Sequence, residues 1–295
     1  MKKQAIGPLA LRVLLAAALT VGPAAHAVGH HRSLDGRRLI LRGPRLRSSE
    51  ALIYDATGAR VLYAKRPTTV VPIASITKLM TTLVVAEAGQ PLDQRVIITR
   101  ADRTPYSRLP VGIRLTRAQL FHLALMSSEN RAAHALCRAY PGGVPACVRA
   151  MNAKARALGM THTHFVEPTG LSRDDVSTSG DLAKLVLAAS RNPIVRRYST
   201  SRGYTIRAGR RLMTYYPTDP LVKDHWWHIV VQKTGFTSHA GQCLVMDTLI
   251  DHHSVIMVLM HSWGKYTRTA DARRVRQWLE WGFSRHAWET VASRD

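Results

Sequence analysis

The sequence predicts an α+β domain in which one antiparallel sheet draws strands from both ends of the folded chain and helices fill the middle. Three observations predict it. Strand-like runs at 51–54 and 60–63 are joined by Asp55-Ala-Thr-Gly58, a hairpin signal. Apolar residues then recur at helical spacing over several stretches between 76 and 190. Strand-like runs return at 228–232, 242–246 and 254–260, followed by one more helical stretch. Strands, then helices, then strands again read as α+β, not as the regular alternation of a parallel α/β sheet.

Ahead of the fold, residues 1–27 read as a cleavable secretory signal. Lys2 and Lys3 supply a positive start, residues 13–21 a short apolar stretch, and Ala25-His26-Ala27 the small-x-small pattern of a cleavage site. Residues 28–50 hold six arginines (Arg32, Arg37, Arg38, Arg42, Arg45 and Arg47) and two acids, and are expected to be a mobile basic arm. Residues 51–295 would then form one domain.

Within that domain, Ile76, Leu79, Met80, Leu83 and Val84 mark a helix closed by Gly89. Thr116-Arg-Ala-Gln119 is a capping-box pattern that opens another, carrying Leu120, Leu123 and Ala124. Further helices are expected over about 148–158, with Gly159 past the end, and 179–190, with Pro193 beyond it. The last helix, about 270–283, carries Trp278, Leu279 and Phe283, expected to pack on the sheet with Arg273, Arg274 and Arg276 left solvated. Cys137 and Cys147 flank the turn-like Tyr140-Pro-Gly-Gly143 and could pair in an oxidising compartment; three reduced core cysteines are the alternative, and Cys243 is expected to be unpaired and buried.

Composition narrows the class. The chain has 295 residues, 46% hydrophobic and 21% charged, a balance that excludes intrinsic disorder. Forty-two Lys and Arg against 19 Asp and Glu give +23, and removing residues 1–27 lowers this by three to +20. Such a surplus favours anionic partners. An exported protein does not meet the genome, so no nucleic acid is expected, and a cell wall or membrane surface becomes the acidic partner. No transmembrane anchor is expected in the mature chain.

Three short motifs carry chemistry. Ser75-Ile-Thr-Lys78 opens the first helix, where a spacing of three puts hydroxyl and amine on one face, a turn apart. A second S-x-x-K, Ser262 to Lys265, follows a strand and holds a helix-disfavouring glycine. Ser128-Glu129-Asn130 lies on a turn between helical stretches, where hydroxyl and amide could relay a proton and hold a peptide carbonyl, or simply cap a helix. A rival at Ser190-Arg-Asn192 is explained by a helix stop. Lys233-Thr234-Gly235 closes a strand, where a cation can hold a carboxylate and the glycine lets substrate lie against the backbone. Each motif alone is weak. Their order, with Ser128 lying 53 residues and Lys233 158 residues after Ser75, is the arrangement of penicillin-binding proteins and β-lactamases.

The text between the motifs, including residues 72–80, 124–134, 140–143, 151–154, 165–172, 233–237 and 264–266, resembles the D-alanyl-D-alanine endopeptidases, low-molecular-mass penicillin-binding proteins of the penicillin-binding protein 7 type. The resemblance covers roughly 50–283. It implies a β-lactamase/transpeptidase-like fold, with an antiparallel sheet flanked by helices and a helical subdomain across the cleft. It also implies hydrolysis of D-Ala–diaminopimelate cross-bridges of peptidoglycan in the periplasm, and covalent capture by β-lactam antibiotics. On this reading Ser75 is the nucleophile, Lys78 its neutral base and Ser128 a proton relay. Asn130, Lys233 and Thr234 would hold substrate, and the N–H groups of Ser75 and Phe236, beside Gly235, would hold the oxyanion. No cofactor is expected. Glu167, in Glu-Pro-Thr-Gly, reads as a structural turn and not as a deacylating base.

Rival readings remain at this stage. A D,D-carboxypeptidase or a β-lactamase shares all three motifs, and a non-catalytic basic wall-binding protein would share the charge. Zinc chemistry is suggested by 14 histidines, among them His162 and His164, but no H-E-x-x-H occurs and no metal is expected.

Overall fold

The computed structural model describes residues 29–32, 38–41 and 43–285, so the expected signal segment lies outside the described residues. Strands β1 (Gly29–Arg32) and β2 (Arg38–Leu41) pair as a small hairpin. β3 (Glu50–Asp55) and β4 (Arg60–Lys65) form the next, and Asp55 closes its turn by accepting from the N–H groups of Thr57 (3.1 Å) and Gly58 (3.0 Å). β5 (Val71–Pro72) leads through a 3-10 turn, Ala74–Ile76, into α1 (Thr77–Glu87). β6 (Arg95–Ile97) pairs with β7 (Arg114–Thr116) ahead of α2 (Arg117–Met126). Then come α3 (Asn130–Arg138), α4 (Gly143–Ala157), β8 (Val176–Ser177), α5 (Ser179–Arg191) and α6 (Pro193–Ser199). The hairpin β9 (Tyr204–Ala208) and β10 (Arg211–Tyr215) precedes three ten-residue strands. These are β11 (His228–Thr237), β12 (Gly241–Ile250) and β13 (His253–Ser262), and α7 (Thr267–Ser284) closes the described chain.

The central sheet runs β11–β12–β13–β3–β4, antiparallel throughout. The α+β expectation holds, and the sheet does draw strands from both ends of the fold. Alternation sorts its side chains: Ala51 and Ile53 of β3 join Ala272, Val275, Leu279 and Phe283 of α7 in one apolar cluster, while Leu52 and Tyr54 join the cluster of α1, α2 and α5. Burial on both faces explains why β3 reads as a continuous apolar run. Trp278 packs edge-on against Tyr63, with ring centroids 6.2 Å apart. β11 is an edge strand of this sheet and borders the helical body.

The basic segment before β3 departs from the expectation of a mobile arm that ends at residue 50. The buried carboxylate of Asp271 in α7 accepts from the backbone N–H groups of Arg47 (3.1 Å) and Ser48 (2.7 Å) and from the Ser48 hydroxyl (2.8 Å). Lys65 adds bonds to the carbonyls of Leu46 and Ser48. A buried carboxylate needs such donors, and the chain just ahead of β3 supplies them. Cys137 and Cys147 are joined in a disulfide with Cα atoms 5.5 Å apart, and Cys243 is free and buried.

Candidate active site

The nucleophile segment is held from three sides. The backbone of Ile73 donates to the Asp175 carbonyl (3.1 Å), and β5 pairs with β8. Ala74 adopts the left-handed conformation, φ +47°, rare for a residue with a Cβ, and turns the chain sharply into the 3-10 turn that carries Ser75. Gly170, at φ +77°, packs its backbone onto this turn: a Cβ there would lie 1.9 Å from the Ala74 carbonyl oxygen. Gly235 approaches from the sheet, and a Cβ on it would lie 3.1 Å from the Ser75 nitrogen. The lack of a side chain at Gly235 therefore lets the strand pack closely on the 73–75 backbone.

Lys78 lies in the first turn of α1, one turn past Ser75. Its Nζ is 2.7 Å from Ser75 Oγ and 2.5 Å from the Thr169 carbonyl oxygen. The side chain is completely buried, and burial lowers its pKa to about 7 against the smaller upward pull of Glu167, Glu129 and Asp175. Burial is the largest influence on Lys78. The two lysines repel each other, and Lys233 is pushed well down by its own burial first, then by the charges of Lys78 and Arg268.

Glu167 does serve a turn. Its carboxylate accepts from the Thr169 N–H (2.8 Å), the Thr169 hydroxyl (2.7 Å) and the Leu171 N–H (2.7 Å), which aims the Thr169 carbonyl at Lys78. Behind it Asp175 Oδ1 accepts from the Val166 N–H (2.7 Å) and the Glu167 N–H (3.3 Å). Burial first, and the Glu167 charge second, raise the Asp175 pKa to about 7.

Across the cleft Ser128 also sits in the left-handed region, φ +59°, between the end of α2 and the start of α3. Its Oγ accepts from Lys233 Nζ (2.9 Å), and Lys233 also donates to the Thr234 carbonyl (2.8 Å). Asn130 begins α3, 5% exposed, and donates from Nδ2 to the Pro105 carbonyl (2.9 Å). Phe236 projects 58% exposed at the end of the Lys-Thr-Gly strand. The fold thus brings Ser75, Lys78, Ser128, Lys233, Thr234 and Gly235 together, with Asn130 bracing the loop ahead of the site and Phe236 at its mouth.

The rival motifs are elsewhere employed. Ser262 Oγ lies 2.9 Å from the Thr267 hydroxyl, while Lys265 lies over the Tyr266 ring. Asn192 caps α6 through the N–H groups of Ile194 and Val195. The backbone N–H of His162 donates to Asp181, and His164 pairs its backbone with Val176. Among the described residues no three His, Cys, Asp or Glu side chains gather as a metal-binding group.

Two residues escaped sequence reasoning. Arg268 of α7 reaches in and donates to the carbonyls of Gly235 (3.0 Å) and Thr218 (3.5 Å). The Thr218 hydroxyl lies 2.5 Å from that of Thr234, and its N–H donates to the Met126 carbonyl (3.1 Å), stitching α2, β11 and α7 together. Neither belongs to a short motif, because each reaches the site from a distant element.

This geometry has known counterparts. The family model described as D-alanyl-D-alanine carboxypeptidase matches residues 39–263. The chain belongs to that family. Among family members, a D-alanyl-D-alanine endopeptidase of Pseudomonas aeruginosa is 46% identical over 80% of this chain and 78% of its own length. One of Escherichia coli is 45% identical over 81% and 79%. The solved Streptomyces K15 DD-transpeptidase superposes with a TM-score of 0.76 at 27% identity, covering 82% of this chain and 99% of that one. The transpeptidase-like fold implied by the sequence is therefore the fold of the molecule. The family match begins ahead of residue 51, in keeping with the anchored residues 46–50. Among the described residues no helix is long and apolar enough to cross a membrane.

Proposed function

We propose that this chain is a serine D,D-endopeptidase that hydrolyses D-Ala–diaminopimelate cross-bridges of peptidoglycan through an acyl-enzyme on Ser75, and that β-lactams capture the same serine. The observation that carries the reading is the pair of contacts facing each other across the cleft: Lys78 Nζ 2.7 Å from Ser75 Oγ, and Lys233 Nζ 2.9 Å from Ser128 Oγ. The names of the relatives support the choice of cross-bridge.

Neutral Lys78 has two N–H donors and one lone pair. One N–H is taken by Thr169, which leaves the lone pair free to face the Ser75 hydroxyl. Ser75 Oγ attacks the D-Ala carbonyl carbon as its proton passes to Lys78, and the new oxyanion is held by the N–H groups of Ser75 and Phe236. Ser128 accepts from Lys233, so its own hydroxyl proton is free for the leaving amine. That amine departs protonated as the C–N bond breaks, the proton being replaced from Lys78. Water then cleaves the ester. Lys233, Thr234 and Arg268 form the anion-binding edge, where a substrate carboxylate would offset the cost of burying Lys233. Asn130 would hold the substrate amide with the hydrogen-bonding capacity that Pro105 leaves free. Residues 1–27 would export the chain to the periplasm, leaving residues 51–295, with the anchored stretch before them, as the working domain.

A defined test is incubation with cross-linked dimeric muropeptide and with monomeric pentapeptide. The proposal predicts conversion of dimer to monomers, abolished in Ser75→Ala. Release of D-alanine from the monomer with the dimer left intact would make the chain a carboxypeptidase instead.

A further inference from the structure

Away from Ser75, two hairpins turn charged faces toward one cavity. In β6–β7 the register pairs Arg95 with Thr116 and Ile97 with Arg114, so these four share one face, while Val96 and Leu115 are buried on the other. In β9–β10, Arg207 pairs with Leu212 on the outward face, and Ile206 and Met213 are buried behind them. Between the hairpins lies a cavity of about 480 Å³ lined by Arg95, Arg114 and Arg207, with Thr116 and Gln119 among its other walls. That volume is in the range of a small-ligand site. Arg210 and Arg211 stand exposed at the tip of the same β9–β10 hairpin.

None of these arginines has an acidic partner among the described residues, although Arg138 pairs with the buried Asp102 (2.8 Å) and Arg276 with Glu280 (2.7 Å) elsewhere in the molecule. Asp93, nearest in sequence, makes no ion pair with them. Thr116 and Gln119 cap the start of α2 on each other, so the helix terminus is already satisfied and the arginines are the positive charge on offer. Guanidinium groups in such a cluster match the planar, two-oxygen geometry of carboxylates.

The cavity is linked to the chemistry by α2. This helix starts at the cavity and ends beside Ser127 and Ser128, ten residues later. Ten residues span about 15 Å, which an extended peptide covers in about four to five residues. We propose that the Arg95–Arg114–Arg207 cavity is a second substrate site that binds the carboxylates of a peptidoglycan stem peptide while the cross-bridge of the same substrate occupies Ser75. This rests on the endopeptidase reading above and adds where the rest of the substrate is held.

The test uses the mature protein and the triple variant Arg95→Gln/Arg114→Gln/Arg207→Gln, with two substrates and one inhibitor. Acylation by benzylpenicillin reads Ser75 alone and is expected to be unchanged, which also shows that the variant folds. KM for cross-linked dimer with free carboxylates should rise about tenfold in the variant. A dimer amidated only on the stem-peptide carboxylates away from the cleaved bond should show the raised KM already with the unaltered protein, and no further rise in the variant. Equal KM values for both proteins on the free-carboxylate dimer would overturn the proposal. So would tight binding of inorganic pyrophosphate to Ser75→Ala protein with no binding of the acidic stem tripeptide, since the cavity would then serve a phosphate. Failure of the endopeptidase reading looks different: the unaltered protein would leave every dimer uncut.

Discussion

At Lys78 two opposed influences meet: complete burial takes the ammonium down to about 7, and Glu167, Glu129 and Asp175 pull it partway back. Because the free amine is the form that accepts the Ser75 proton, acylation by benzylpenicillin should rise with pH through about 7 and level off above it. Stopped-flow acylation rates between pH 5.5 and 9 check this. Asp175→Asn removes a carboxyl that is itself half-ionised near pH 7, so the profile should move slightly toward lower pH with the plateau preserved. The asparagine Oδ1 can still accept from Val166 and Glu167. The same variant has a stability signature. Asp175 binds its proton more tightly folded, with a pKa of about 7 against 3.8, so its ionisation costs the fold stability as pH rises from about 4 through 7. Asp175→Asn should therefore gain in melting temperature relative to the parent on going from pH 5 to pH 8. Gly170→Ala should do the opposite of a conservative change, because its Cβ would lie 1.9 Å from the Ala74 carbonyl. A loss of acylation of about a hundredfold or more is expected when the nucleophile segment is displaced. At this scale Ser75, Lys78, Ser128 and Lys233 were legible, since hydroxyl–amine spacing on a helix and a cation on a strand leave local patterns. Arg268, Thr218 and the Asp175–Glu167 pair were not, because only tertiary contact delivers them.

Among the elements, α3 and α4 form the unit that presents Ser128 and Asn130. The Cys137–Cys147 disulfide ties them across a ten-residue separation. Loop-closure entropy for such a ring amounts to about 2–3 kcal/mol. Cys137→Ser/Cys147→Ser should lose about that much in urea unfolding while keeping its rate of acylation, since neither sulfur touches the site. Asp102 anchors the same unit, with bonds to His134 (2.8 Å) and Arg138 (2.8 Å). Burial alone would raise this carboxyl, but those two side chains and the Thr99 backbone hold it well below the usual carboxylate range. The elements with strong periodicity or caps were readable: the Thr116–Gln119 capping box opens α2 as the pattern suggests. Others were hidden by local chemistry. Pro193 reads as a stop after α5 but occupies the first turn of α6, where its missing N–H costs nothing. The strands of the β6–β7 and β9–β10 pairs are three to five residues long, each with one exposed arginine, and carry little apolar signal.

Over the whole molecule, the sheet lies between α7 on one face and the helical body on the other, and its edge strand β11 carries Lys233 to the cleft. The Lys and Arg surplus, +23 over the full sequence, makes association with an acidic wall polymer salt-dependent, so retention on isolated sacculi should fall steeply between about 50 and 300 mM salt. Binding of that kind needs no active site, which is why charge alone could not separate an enzyme from a wall-binding protein, whereas the assembled serine–lysine contacts can. The central claim is the covalent chemistry of Ser75, and intact-mass spectrometry over time with benzylpenicillin tests it most directly, on the mature protein and on Ser75→Ala. The account predicts one stable adduct per molecule that the variant fails to form. An adduct that persists in Ser75→Ala, or no adduct on either protein, would contradict it.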